Sequence, residues 1–312
     1  MSKLHISSSP HICTPKSTRG IMLDVIISLM PATVAGAVIF GARALLVVLT
    51  SVIFAVASEY VFCLATKKEK TIDDLSAVVT GIILGLNLHA NSPLWQVAIG
   101  AVFAMVVVKG LFGGLGQNFA NPAATARVFL LVSFAGTLAG GAVPKLSSAP
   151  ELVAGATPLA VLADGGELPS LLDMLLGMRG GAIGETCVVA ILLGFAYLVF
   201  RGVINFEVPI VYIATVFVLS LVVDNSFYLA TYEIFAGGLM FASVFMITDY
   251  SSTPVTRTGK MVFAFGCGLL TFLIRTYGGY PEGVSFAILL MNILAPYIEK
   301  WTARRRFGGE KV

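Results

Sequence analysis

Residues 76–93 read SAVVTGIILGLNLHANSP, an apolar run of thirteen residues, Ser76–Leu88, that leads into the polar stretch Asn87–Pro93. A helix of thirteen residues reaches about 20 Å at 1.5 Å per residue, against a bilayer hydrocarbon core of roughly 30 Å. The run is apolar enough for a membrane and too short to cross one comfortably, and it carries two glycines, Gly81 and Gly85. The same grammar returns at Ile234–Ile247, fourteen residues with Gly237 and Gly238, followed by TDYSSTP at Thr248–Pro254. The offset from Asn87 to Thr248 is 161 residues, and a second pair, QNFANP (Gln117–Pro122) and TYGGYP (Thr276–Pro281), repeats at 159. Short, glycine-interrupted segments at matching places in two halves point to a repeat with a site between the halves. With thirteen prolines in the chain, coincidence is the competing reading.

Eight further apolar runs complete the pattern: Ile21–Phe40, Leu45–Ala65, Leu94–Leu111, Pro122–Leu138, Gly184–Phe200, Val208–Val223, Met261–Ile274 and Val284–Ile298. The expected fold is an all-α polytopic membrane protein of about ten transmembrane helices, with short broken helices 3 and 8. Five spans per half is an odd number, so the two five-helix repeats, 21–138 and 184–298, are expected to be inverted. They are flanked by an N-terminal segment (1–20), a long connecting loop (139–183) and a basic tail (299–312). Composition agrees: 57% of the 312 residues are hydrophobic and 12% charged, with mean hydropathy +0.91, whereas soluble domains are about a quarter charged. An ordinary soluble enzyme is excluded. The net charge of +3 is too small a bias to suggest nucleic acid.

If all ten segments cross, both termini lie on one side, and sixteen of the twenty basic residues fall on that side. Only Arg43, Lys145, Arg179 and Arg275 fall on the other. The positive-inside rule then makes the termini cytoplasmic and puts the loop 139–183 outside. That loop includes an apolar stretch, Leu168–Met178, suited to a short helix on the interface or packed over the spans. The first twenty residues hold no apolar run of the signal-peptide kind.

Polar side chains sit at the paired breaks: Asn118, Asn121, Asp249 and Thr253. Each has a plain structural reading, since Asn121-Pro122 is a good N-cap and first-turn pair and Asp249 or Thr253 can close orphan backbone groups. The same groups can also face a ligand. Asp24, Glu59 and Arg127 lie within two turns of the inferred cytoplasmic interface, and Lys109 near a helix end where it can snorkel, so interface anchoring is expected of them. The four cysteines, Cys13, Cys63, Cys187 and Cys267, are widely spaced, so no metal or iron–sulfur signature arises within this chain, and no G-x-G-x-x-G follows a strand.

Four ordered stretches, DLSAVVTGIILGLNL (Asp74–Leu88), KGLFGGLGQNFANPAATARVFLLVSF (Lys109–Phe134), FMITDYSSTPVT (Phe245–Thr256) and RTYGGYPEGVSFAILLMN (Arg275–Asn292), closely resemble the D subunit of the Rnf electron-transport complex. That family is related to the B subunit of the sodium-pumping NADH:quinone reductase. The resemblance covers nearly the whole chain. It implies a multi-pass protein of a bacterial or archaeal cytoplasmic (inner) membrane that relays electrons through flavin, as one subunit of a translocase coupling ferredoxin and NAD chemistry to Na+ or H+ movement.

The resemblance also implies an FMN joined by a phosphoester to a threonine in an S-G-A-T type motif of the outer loop. The matching residues are Ala154, Gly155, Ala156 and Thr157, which makes Thr157 the attachment point. Two positions depart from the usual pattern: Glu151 stands where Asp is more common, and Ala154 replaces a hydroxyl residue. A second, noncovalent flavin (riboflavin or FMN) is expected between the repeats, near Asn118, Asn121, Arg127, Asp249 and Thr253. The implied partners are an extracytoplasmic FMN subunit, membrane subunits with an iron–sulfur cluster, cytoplasmic subunits on the NADH and ferredoxin side, and a flavin transferase for maturation. No catalytic residue or metal ligand is expected in this chain. The rival readings are a solute channel or secondary transporter, which inverted repeats also build, and a scaffold that docks redox partners.

Overall fold

The computed structural model describes residues 17–67, 72–138, 142, 144, 158–163, 170–278 and 283–303. The described elements are helical: α1 (Thr18–Phe40), α2 (Ala42–Thr66), a 3-10 turn (Ile72–Asp74), α3 (Ser76–Leu86) and α4 (Leu94–Val102), which continues as a π-helical stretch (Phe103–Gly110). Then follow α5 (Pro122–Ser133), α6 (Ala135–Leu138), α7 (Pro158–Ala163), α8 (Leu171–Leu176), α9 (Val188–Phe200), α10 (Glu207–Asp224), α11 (Phe227–Phe235), α12 (Leu239–Phe245), α13 (Arg257–Tyr277) and α14 (Val284–Thr302). Among the described residues the only β feature is an isolated bridge between Ala142 and Gly181.

Among the described residues five helices, α1, α2, α10, α13 and α14, are long and apolar enough to cross a membrane. A sixth span results if α11 and α12 are joined across their 56° bend. Four shorter apolar helices, Ser76–Leu86, Leu94–Gly110, Pro122–Ser133 and Val188–Phe200, complete the set. Each of the ten apolar runs therefore falls on a helix. On α1 the exposed side chains Leu23, Ile27, Met30, Val34 and Val38 recur every three or four residues, one continuous apolar stripe. A soluble monomer rarely shows such a stripe. A bilayer is the solvent that favours it. The protein is an all-α membrane protein.

Within the bundle α2 packs on α3 and α4, α10 on α11 and α13, α13 on α14, α1 on α9, and α5 on α14. Glycine permits close contacts here: a Cβ on Gly194 would run into Ser28 O, one on Gly81 would lie 2.7 Å from the Val52 Cα, and one on Gly85 2.8 Å from the Val48 Cα. Small residues of this kind let helix backbones approach where lipid gives no hydrophobic drive for association. Eighth in the ten-run order, Ile234–Ile247 differs from a single short helix. The helix starts earlier, at Phe227, breaks at residues 236–238, where Gly237 adopts φ +64°, and restarts at Leu239. The stretch Leu168–Met178 contains the short helix α8.

A cavity at the helix breaks and the buried ion pairs around it

The polar stretch that follows α3 is closed by backbone. Leu86 O accepts from Gly184 N at 2.8 Å and Leu88 O from Ile183 N at 2.9 Å, so the lead-in to α9 satisfies the carbonyls that a helix end leaves open. Asn87 Nδ2 donates to Ile83 O at 2.9 Å, and Asn87 Oδ1 accepts from Arg127 Nη1 at 2.8 Å. Arg127 stands 4.0 Å from Glu185, both buried. Glu185 accepts from Ala182 N, and its carbonyl accepts from Arg179 Nη2. Arg127 is thus an interior residue joining the two halves, where interface anchoring was the expectation.

The stretch after α12 is closed mainly by side chains. Asn121 is the N-cap of α5, its Oδ1 accepting from Ala123 N (3.0 Å) and Ala124 N (3.2 Å), with Pro122 in the first turn. Its Nδ2 reaches across to Met246 O at 3.4 Å and Asp249 Oδ2 at 3.5 Å. Asp249 accepts from Ser251 N and from the hydroxyls of Ser251 and Ser252, while Thr253 Oγ1 donates to Asp249 O at 2.6 Å. The capping roles read from the sequence are all present. Asn292 of α14 completes the join, its amide oxygen accepting from Asn121 N and its nitrogen donating to Ser252 O, each at 3.0 Å.

Beside this second break lies a cavity of about 90 Å³. Asn118, Asn121 and Asp249 line it, together with Lys109, Ser76 and Thr80 and the apolar side chains of Ile21, Val25, Ile83, Leu198 and Phe245. The structure brings these three predicted residues together. Thr253 and Arg127 are not on the lining. Among the described residues Asn118 Oδ1 is a buried acceptor with no donor, and an unmet acceptor of this kind costs about 1–3 kcal/mol. Burial pushes the Asp249 carboxyl up, toward its neutral form, against the lowering effect of its Ser251 and Ser252 bonds. Tyr250, about half exposed, is also on the lining. A second cavity of about 230 Å³, lined by Asp24 and the partly exposed Arg201, shares Ile21 and Val203 with the first.

Lys109 does not snorkel. It is 3% exposed, and its Nζ donates to Glu59 at 2.5 Å and to Ser76 Oγ at 2.6 Å. Glu59 and Lys109 are 50 residues apart in sequence, which hides the pairing from any local pattern. Asn87, Glu185 and Asn292 are buried polar residues at these breaks that local patterns do not single out. The signal for Asn87 and Asn292 is a lone amide within or just past an apolar run.

Thr157, Gly155 and Ala156 lie outside the described residues. The helix that starts at the next residue, α7, is docked. Leu159 is 5% exposed, clustered with Met174, Tyr232 and Ala236, apart from the main core. It presses on the α11–α12 break: a Cβ on Gly237 would meet Leu159 Cδ1 at 2.7 Å. Arg275, in the last turn of α13, donates to Glu233 O (2.8 Å) and Ala236 O (3.1 Å) and so closes the open end of α11.

Relatives of known naming add what geometry does not. Residues 5–308 match the model of the NQR2, RnfD, RnfE family. The chain belongs to that family. It is 45% identical, over 99% of its length and 96% of the relative's, to the D subunit of the Na(+)-translocating ferredoxin:NAD(+) oxidoreductase complex of Acetobacterium woodii. It is 41% identical, over 97% of its length and 96% of the relative's, to the D subunit of the proton-translocating ferredoxin:NAD(+) oxidoreductase complex of Clostridium ljungdahlii. The D subunit of the ion-translocating oxidoreductase complex of Halorhodospira halophila is 34% identical over 98% of this chain and 96% of its own. Within the NQR2, RnfD, RnfE family, then, these similar relatives are named as D subunits of ion-translocating redox complexes.

Proposed function

We propose that this chain is the flavin-carrying membrane subunit of an ion-translocating ferredoxin:NAD oxidoreductase complex, relaying electrons through an FMN joined to Thr157. The observation that carries the complex is the near full-length similarity to subunits so named. These two relatives are named for different ions, Na+ and H+. Placement of Thr157 is supported by α7: the residue after the threonine opens a helix whose Leu159 is buried against the α11–α12 break. A bound flavin supplies the electron-carrying chemistry, and the chain supplies position and electrostatics.

In this reading ten helices cross the membrane of a bacterium or archaeon, the termini are cytoplasmic and residues 139–183 face outward. Matched packing supports the two inverted repeats: α2 on α3 corresponds to α10 on α11 and α12, α2 on α4 to α10 on α13, and α3 on α5 to α12 on α14. The pairs α1–α9 and α5–α14 then join equivalent helices of the two halves. A second, noncovalent flavin belongs in the cavity at Asn118, Asn121 and Asp249. The unmet acceptor of Asn118 suits a ring N–H, and the apolar side chains of Ile21, Val25, Ile83 and Phe245 on the same lining suit the faces of a ring. Electrons would pass between an extracytoplasmic FMN subunit, membrane subunits with an iron–sulfur cluster and the cytoplasmic NADH and ferredoxin side, after a flavin transferase has loaded Thr157.

The broken α11–α12 pair beside a cavity is also what a secondary transporter would use, and colour separates the two. Protein purified from cells containing the flavin transferase should be yellow and, after denaturation, fluoresce in the gel at its own band. Thr157→Ala should abolish that band fluorescence. A colourless preparation that moves a solute would favour transport.

A further inference from the structure

The buried Lys109–Glu59 pair does nothing for capping or turn closure, and two desolvated charges are weak evidence of stability, since an apolar pair of the same size often packs as well. Its placement is specific. The π-helical stretch Phe103–Gly110, sealed by Leu111 N donating to Val106 O, inserts one residue before the chain leaves the helix. At 3.6 residues per turn that insertion rotates Lys109 by roughly 100° from where a plain α-helix would put it, and such stretches collect at functional sites. So rotated, Lys109 meets Glu59 of α2 and Ser76 at the start of α3. The Ser76 hydroxyl donates its own proton to Asp74 Oδ1 at 2.5 Å, leaving its lone pairs to Lys109. Among the described residues two of the three ammonium donors are thereby held.

Lys109 lines the cavity and Glu59 does not. What the cavity meets is the positive end of the pair. The other ionisable groups on its lining are Asp249, which burial pushes toward neutrality, and Tyr250.

We propose that Lys109 is a charge-setting residue for a redox ring held in this cavity, its ammonium fixed by Glu59 and Ser76 to offset the negative charge the ring gains on reduction. The proposal rests on the reading of the cavity as a noncovalent flavin site. A ring that takes up two electrons and one proton gains one negative charge. Lys109 keeps its own proton throughout, so no bond to it forms or breaks.

The test is a spectroelectrochemical titration of the noncovalent flavin in the full-length chain, in a Thr157→Ala background so that no covalent flavin overlaps. Lys109→Met should retain flavin in the heat-released extract and disfavour reduction at least tenfold, about 30 mV for a two-electron couple. Lys109→Arg should restore most of the shift. Glu59→Gln strips the ammonium of its counter-charge and should move the equilibrium the opposite way, which a merely structural role would not do. Should Lys109→Met fail to fold, the Lys109→Arg and Glu59→Gln pair still reads the sign. Flavin bound with both equilibria within twofold of the parent overturns the role of Lys109 and leaves the flavin site standing. A parent chain that releases no noncovalent flavin overturns the flavin reading, and this proposal with it.

Discussion

The two polar stretches that follow α3 and α12 hold corresponding places in the sequence, yet they are finished differently. After α3 the open carbonyls are met by backbone N–H groups at 2.8 and 2.9 Å, and the buried Asn87 amide is engaged by Arg127 and Ile83 O. After α12 the closure is by side chains, Thr253 at 2.6 Å, Asn292 at 3.0 Å and Asn121 at 3.4 and 3.5 Å, with a cavity alongside and an acceptor, Asn118 Oδ1, left unmet. The closed end is a joint. The open end is a site, because there an unmet acceptor, Asn118 Oδ1, lines a cavity, whereas His89 Nδ1 and Ser92 Oγ, the unmet atoms at the closed end, are not on that lining.

The comparison can be broken most forcefully through the ion pair at the open end. Glu59→Leu leaves the Lys109 ammonium buried without its partner and should cost about 3–5 kcal/mol, read as thermal unfolding in detergent. Replacing both residues, Glu59→Leu with Lys109→Met, should recover most of that loss. Next comes a matched pair of amides. Asn87→Leu at the closed end removes one acceptor of the buried Arg127 guanidinium and should cost about 1–3 kcal/mol. Asn118→Leu at the open end removes an acceptor that nothing meets, so stability should hold or rise while noncovalent flavin is lost. Equal destabilisation by the two leucines would erase the distinction. Gly237→Ala places a side chain at φ +64° and against Leu159, for a loss of about 1–2 kcal/mol. Asn121→Ala removes a helix cap and should cost about 1 kcal/mol, together with weaker flavin retention.

The helices are legible in the sequence because apolar runs and glycine–proline punctuation are local signals. All ten runs lie on helices, and Asn121-Pro122 caps α5 as its residue types demand. Two features are not legible. The first turns of α11, FYLATYE, mix aromatic and polar residues, so the apolar run begins only at Ile234 and its break is expected only at its end. The pairings of Lys109 with Glu59 and of Arg127 with Asn87 span 50 and 40 residues. Charges near a helix end look like interface anchors until the fold shows what faces them. Asn118, Asn121 and Asp249 are legible as a group because each sits at a break, and the breaks meet. Arg127, close in sequence to Asn121, is bonded to the closed end instead.

The proposed covalent flavin is joined to Thr157, the residue before α7. Peptide mass spectrometry of protein matured with the flavin transferase tests it directly. The peptide containing Thr157 should carry the mass of FMN less one water, and fragmentation should place that mass on Thr157. An unmodified Thr157 in a preparation whose denatured band still fluoresces, or the same adduct persisting in Thr157→Ala, would contradict it.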